Sequence, residues 1–268
     1  MHTPDGIITS WICVMMLAVS AVVIAVSLMR LHLSKRQILT FCGLTSVAFL
    51  LQMLNITILP GISGHLIGTG IIVMLLGVPA GIVSLAIILF VQVIFFGDGG
   101  ILAYGINLFG MGIMASLSVA LVKHRLGTGP KAYFLSGISS VMAAVLSLNF
   151  FLTISGKPDL VLPLFLFHLP TSLLEGTVFL AIFLTHKHLM AFSFKEWSLA
   201  IAALSCIIPL ASSLPDALIH TLEISTIGYL TMPSLIPPAF MAGTSLIFIA
   251  FISSLIIFGM SALIPQRA

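Results

Sequence analysis

The stretch "HLIGTGIIVMLLGVPAGIVSLAIILFVQVIFF", residues 65–96, decides the fold. It carries one ionisable side chain, His65, at its very start. A bilayer crossing takes about 20 apolar residues, so this stretch is too long for one helix. Gly77, Pro79 and Gly81 break it near the middle. It reads as two crossing helices, roughly 66–77 and 80–96, the first of them short for a membrane. The polar–apolar alternation of barrel strands is absent. Lipid offers no partner to backbone N–H and C=O groups, so these spans are helices.

The rest of the chain agrees. Of 268 residues, 60% are hydrophobic and 6% charged. A soluble domain carries about 25% charged residues, enough to cover its core. This chain is therefore an all-α polytopic membrane protein. The net charge of +3 is no nucleic-acid footprint, because the basic residues fall in short clusters between apolar runs. That is the pattern of cytoplasmic loops. Arg30, Lys35 and Arg36 form the first cluster, Lys123, Arg125 and Lys131 the second, Lys187 and Lys195 the third. Counting spans between clusters puts the N-terminus outside. Helices near 8–29, 37–54, 66–77, 80–96, 102–122, 132–153 and 163–185 make a bundle of about seven. Two more spans, near 197–213 and 238–260, follow, joined by an irregular external loop at 214–237, and Arg267 ends inside. The opening has no basic region ahead of its apolar run, so no removable signal peptide is expected. Cys13, Cys42 and Cys206 lack metal-ligand spacing and read as buried thiols.

The opening "MHTPDG" (1–6) joins a terminal amine to a histidine. Once deprotonated, the amine is a neutral ligand, with a reference pKa of about 7.7–8.0. The Met1 nitrogen and the His2 amide nitrogen close a five-membered ring around a metal. The His2 amide and its own Nδ1 close a six-membered one. Three nitrogens then share a plane and one corner stays open. Ni(II) and Cu(II) favour such square-planar nitrogen sites; zinc prefers a tetrahedron. His65 lies on the same external face, among glycines that permit close backbone approach.

The opening, together with "MLNITILPGISGHLIGTG" (53–70), "GVPAGIVSLAIILFVQVIFFGDGGILAYGINLFGM" (77–111) and "HLPTSLLEG" (168–176), resembles the CbiM/NikM family. These are the substrate-capturing membrane components of energy-coupling-factor cobalt and nickel importers. The blocks run in family order over about residues 1–190. Beyond residue 196 the chain is similar to the small N component, often fused behind such a protein. "LASSLPDALIHTLE" (210–223) matches that module's external signature, with Ala217 for an expected glycine and Ile219 for an expected glutamate. Gly110 likewise stands where an asparagine is expected. Two domains follow, 1–190 for metal binding and 196–268 for the N-like module. The resemblance implies that Met1, His2 and His65 ligate the ion, His65 taking the fourth corner. It also implies an N-terminus tucked inward from outside, Ni(II) or Co(II) as substrate, a transmembrane coupling subunit and two ATPase subunits as partners, and a bacterial or archaeal cytoplasmic membrane.

Metal-bound imidazoles take outer partners. Asp98, Asn107, His168 and Glu175 are the candidates, and intramembrane ionisable residues are functional by default. His168 and Glu175 lie two helical turns apart, on one face. His32, His124, His186 and His188 sit beside cytoplasmic basic residues and read as solvated. His220 and Glu223 could pass ions inward from the external loop. Ala18, Ala21 and Ala25 form a stripe that allows close helix contact; the resemblance implies docking on the coupling subunit, and internal packing is the alternative. No phosphate-binding G-x-x-x-x-G-K-[ST] loop exists, since "GTGPK" (127–131) does not fit it. ATP-driven uptake would therefore need partners. The rival readings are a stand-alone secondary metal transporter, for which no internal repeat is seen, a membrane metal sensor, and an intramembrane metallo-hydrolase, for which no H-E-x-x-H helix is seen. Planar nitrogen donors favour nickel over cobalt.

Overall fold

The computed structural model describes residues 2–225. Met1, the expected span 238–260, Arg267 and the side chains of His186 and Lys187 lie outside the described part. Six helical segments within it are long and apolar enough to cross a membrane: Ser10–Arg30, Lys35–Met53, Val78–Phe96, Tyr104–Leu126, Pro130–Ile154 and Pro158–Thr185. Each coincides, to within a few residues, with a span expected from the sequence.

Local chemistry sets many of the boundaries. Helix α1 is Ser10–Arg30. Helix α2, Lys35–Met53, starts at a capping box in which Ser34 and Gln37 satisfy each other's backbone amides. Helix α4, Val78–Val91, has Pro79 in its first turn and runs on into a π-helical turn, Gln92–Phe96. Helix α5, Tyr104–Asn107, passes through a π-helical stretch into α6, Ala115–Leu126, whose last turn carries Lys123, His124 and Arg125. Cations there complement the helix dipole. Helix α7 is Pro130–Ile154, and α8, Val161–Leu189, contains Pro170.

The break in the deciding stretch falls at Gly77, whose φ of 90° is a conformation that side chains disfavour. Helix α3 is Thr69–Leu76, only eight residues, or about 12 Å. Its shortness has a cause upstream. Residues 56–64 form a hairpin, β1 (Ile56–Leu59) paired antiparallel with β2 (Ile62–Gly64). From Ile62 to Met74 every residue is buried. The chain thus enters the bundle in extended form before α3 begins. At the other end, Lys123 Nζ donates to the Met74 carbonyl at 2.8 Å, so α3 finishes beside the second basic cluster; at eight residues it is not among the helices long enough to cross a membrane.

Beyond α8 two expectations change. The span expected at 197–213 is a shorter helix, α9 (Phe194–Ile207), ended by a turn at Pro209. It packs on α2 through Trp197, which lies so close that a Cβ on Gly43 would sit 2.1 Å from its ring. The loop expected to be irregular from 214 contains helix α10, Ala217–Ile224. Asp216 caps it, accepting from the Ile219 amide at 2.8 Å, a cap legible in "PDALI", and Leu218 and Leu222 bury its apolar face. No disulfide joins the described cysteines. Cys13 and Cys42 are buried as expected, but Cys206 is exposed on α9, where an apolar thiol can face lipid.

Candidate metal centre

The site begins with how the first residues are held. His2 and Thr3 are buried. Thr3 N–H donates to Asn107 Oδ1 at 2.8 Å, and Asn107 Nδ2 donates to the Thr3 carbonyl at 3.1 Å. The same carbonyl accepts from Gly100 N–H at 3.0 Å. Two residues on, Asp5 Oδ1 accepts from the Ala103 amide at 2.9 Å. The loop "GDGG" (97–100) can wrap this segment because its glycines put no side chain in the way: a Cβ on Gly100 would lie 2.0 Å from Asp5 Oδ1. Where the segment leaves, Lys157 donates to the Gly6 and Ile7 carbonyls and Ser155 accepts from Thr9 N–H. Ile7 and Ile8 are sunk in an apolar cluster with Phe151, Leu164, Leu218 and Leu222.

His65 arrives from the opposite direction, one residue past β2. The segment after it is fixed by its backbone. Glu175, fully buried on α8, takes the Ile67 amide at 2.7 Å and the Gly68 amide at 3.0 Å. Ser140 Oγ adds a contact to the same carboxylate at 3.4 Å, and Gln52 Nε2 donates to the Ile67 carbonyl at 2.7 Å. Gly68, with φ 75°, makes the turn into α3. Burial, with positive charge nearby including His2, holds the His65 pKa well below the usual histidine range. It is therefore a neutral imidazole, the form that binds metals.

These two arms bring His2 and His65 together. Their rings lie parallel, 5° apart in orientation, with centroids 5.0 Å apart. His2 Nδ1 is 3.0 Å from Asp98 Oδ2, and His2 Nε2 is buried with no hydrogen-bond partner among the described residues. Burial pushes the Asp98 pKa up, but the charge and hydrogen bond of His2 outweigh it and keep the carboxyl below its ordinary value. Among the described residues no three His, Cys, Asp or Glu side chains are grouped to hold a metal.

The four outer candidates divide by what they touch. Asp98 meets an imidazole directly. Asn107 meets none; it grips the backbone next to His2. Glu175 likewise holds the backbone beyond His65. His168 Nδ1 lies 2.8 Å from the Leu164 carbonyl of its own helix, and with His65, Gly64, Thr171, Asp216 and Ala217 it lines a cavity of ≈ 10 Å³, room for about one water. At Gly110 a Cβ would lie 2.9 Å from Ser147 Oγ, so the expected asparagine would require that hydroxyl to turn away. His220 packs edge-on against Phe167 and Glu223 is exposed; neither lines the cavity beside His65. His32, His124 and His188 are exposed, as are Ala18, Ala21 and Ala25 on α1.

Sequence reasoning passed over Gln52 and Lys157, and it put the segment at Asp216 on the external face without giving it a contact. That segment is joined to the strand carrying His65. Ser63 N–H donates to the Pro215 carbonyl at 2.9 Å, Ser63 Oγ donates to Leu214 at 2.7 Å, and Ser63 bridges to Asp216 as a short parallel pair. Pairing of the run "SSLPD" with a residue about 150 positions earlier leaves no local signal.

The model of the cobalt uptake substrate-specific transmembrane region family matches residues 2–192. The chain belongs to this family. Among curated relatives it is 33% identical over 130 residues to the fused nickel transport protein NikMN of Rhodobacter capsulatus, covering 48% of this chain and 37% of that protein. It is also 33% identical over 131 residues to a probable fused nickel transport protein LarMN of Lactiplantibacillus plantarum (47% and 40%), and 28% identical over 156 residues to the cobalt transport protein CbiM of Geobacter sulfurreducens (55% and 45%). The matches thus cover less than half the length of these three relatives. Two solved transition metal transporters share the fold. One, truncated, superposes with a TM-score of 0.61 at 24% identity over 70% of this chain and 99% of its own; the other gives 0.62 at 23% over 73% and 96%. The chain is a multi-pass membrane protein of a metal-transport family, a family of transporters and not of enzymes.

Proposed function

We propose that this protein is the substrate-capture component of an energy-coupling-factor importer for Ni(II) or Co(II). The ion binds the N-terminal amine of Met1, the amide and imidazole nitrogens of His2, and the imidazole of His65. The observation that carries this reading is the buried, parallel approach of His2 to His65 at 5.0 Å. It brings His2 to His65, the other histidine that the family resemblance implies as a ligand. A site made of two imidazoles and two main-chain nitrogens needs no third chelating side chain.

Chelation through His2 Nδ1 requires that nitrogen to leave Asp98, which then stays close by as a counter-charge to the dication. A planar nitrogen set favours nickel. The relatives include proteins named for nickel and for cobalt. Transport across the cytoplasmic membrane draws its energy from a coupling subunit and two ATPase subunits. The exposed Ala18, Ala21 and Ala25 stripe on α1 is the docking face. Residues 1–190 form the metal-binding domain and 196–268 the N-like module, with the N-terminus external.

Isothermal titration with Ni(II) of a form carrying one extra residue before Met1 tests the ligand set. The extension should abolish binding while the circular dichroism of the fold is unchanged; undiminished affinity refutes it. Uptake of the ion by vesicles with and without the ATPase partners separates an importer component from a self-sufficient transporter or a sensor.

A further inference from the structure

Helix α3 is held by a charge at each end. Its N-terminal approach, the Ile67 and Gly68 amides, is bound by the Glu175 carboxylate; the Met74 carbonyl in its last turn is bound by the Lys123 ammonium. An anion at the start and a cation at the end are the signs that a helix dipole favours. Eight residues make this a stiff rod of about 12 Å. Its two flanking residues, Gly68 (φ 75°) and Gly77 (φ 90°), are backbone points where direction can change. Between them the rod is close-packed, since a Cβ on Gly70 would lie 2.4 Å from Phe179. His65 stands three residues before Gly68. The Ile67 and Gly68 amides that lie between His65 and α3 are held by the one Glu175 carboxylate, so His65 and the start of the rod share an anchor.

We propose that Lys123 is a positioning residue for ion binding, acting on His65 through α3, and that occupancy of the metal centre in turn tightens the Lys123–Met74 contact. This rests on the assignment of His65 as a ligand. Lys123 does not touch the ion. It satisfies a carbonyl that a helix end otherwise leaves without a partner, and so fixes the axial position of the rod that begins four residues after His65. Two-way coupling is required by linkage: if the Lys123 contact favours ion binding, ion binding must favour the Lys123 contact by the same factor. Lys123 sits among the basic residues that close α6, so a protein docking at that face and drawing the ammonium away would loosen the ion without reaching the centre.

The experiment uses the full chain in lipid nanodiscs. Isothermal titration with Ni(II) should show Lys123→Met binding about five- to tenfold more weakly, within the usual span of coupling between sites. Lys123→Arg, which keeps the charge, should be much nearer wild type. In the unmodified protein, saturating Ni(II) should slow acylation of Lys123 by an N-hydroxysuccinimide ester, read by peptide mass spectrometry, while Lys131 is unaffected. The second measurement needs no variant to fold. Equal acylation rates with and without Ni(II) overturn the proposal, even where Lys123→Met binds less well, because a structural role alone would give that. If Ni(II) binds His65→Ala as tightly as wild type, the ligand assignment itself fails and the coupling falls with it. If His65 is needed but Lys123→Met binds like wild type, only the coupling fails.

Discussion

Asn107 and Thr3, 104 residues apart, exchange two hydrogen bonds, amide to side-chain oxygen and side-chain nitrogen to carbonyl. That pairing treats the first residues of the chain as a strand treats its neighbour. It converts a terminus, the part of a protein most prone to fray, into a fixed arm. The asparagine side chain suits the task because it offers donor and acceptor from one planar group.

Asn107→Ala should therefore weaken Ni(II) binding by about 10- to 100-fold, the usual effect of removing a partner that orients a metal ligand. Asn107→Asp, which keeps the acceptor but not the donor, should fall between. Titration calorimetry on the two variants checks the order; an alanine variant that binds like wild type would show that the arm is held elsewhere.

Gly100→Ala should be as damaging, by steric contact alone. The added Cβ would lie 2.0 Å from Asp5 Oδ1, and Asp5 cannot withdraw without giving up the Ala103 amide. The arm should leave its channel while the helices stay formed. Hydrogen exchange should rise at residues 2–8 with helical circular dichroism unchanged, and Ni(II) affinity should drop with it.

Glu175 acts on the other arm. Glu175→Ala leaves two buried amides without an acceptor, each costing about 1–3 kcal/mol. The metal-free protein should melt at a lower temperature, and the loss should be larger than for Ser140→Ala, which removes only a 3.4 Å contact. Thermal unfolding in detergent measures both. Equal melting of the two variants would mean the Ile67 and Gly68 amides find another acceptor.

How much of this was legible beforehand varies with the range of the interaction. The six long helices were, because hydropathy is local and lipid permits only one answer. The break at Gly77 was, because glycine and proline act on their own backbone. His2 and His65 were legible as a pair through the family's motifs, and Asn107 and Glu175 as polar residues in apolar runs. Their roles were not: both hold main-chain groups beside the histidines, and nothing in a sequence says which amide a buried side chain will meet. The hairpin 56–64 was hidden for a different reason. "ITILPGIS" carries β-branched residues about a Pro-Gly turn, but it lies in a run where helical spans dominate the count. Helix α10 was missed although its Asp216 cap was in plain view.

The last prediction concerns that cap. Asp216 ends the segment whose neighbours Leu214 and Pro215 bond to Ser63, and its helix buries Leu218 and Leu222 fully against the cluster that includes Ile7 and Ile8. One short helix thus touches both arms of the centre. Asp216→Ala removes an N-cap, worth about 1 kcal/mol of helix stability, and should loosen α10 from both. Asp216 also lines the cavity beside His65 and acts on that imidazole electrostatically, so the variant should hold the ion less firmly as well. Ni(II) should dissociate several-fold faster from Asp216→Ala, measured by transfer to a chelator. His188→Ala, on the exposed end of α8, should release the ion at the wild-type rate. Should Asp216→Ala also release it at that rate, α10 would be packing on the site without restraining it.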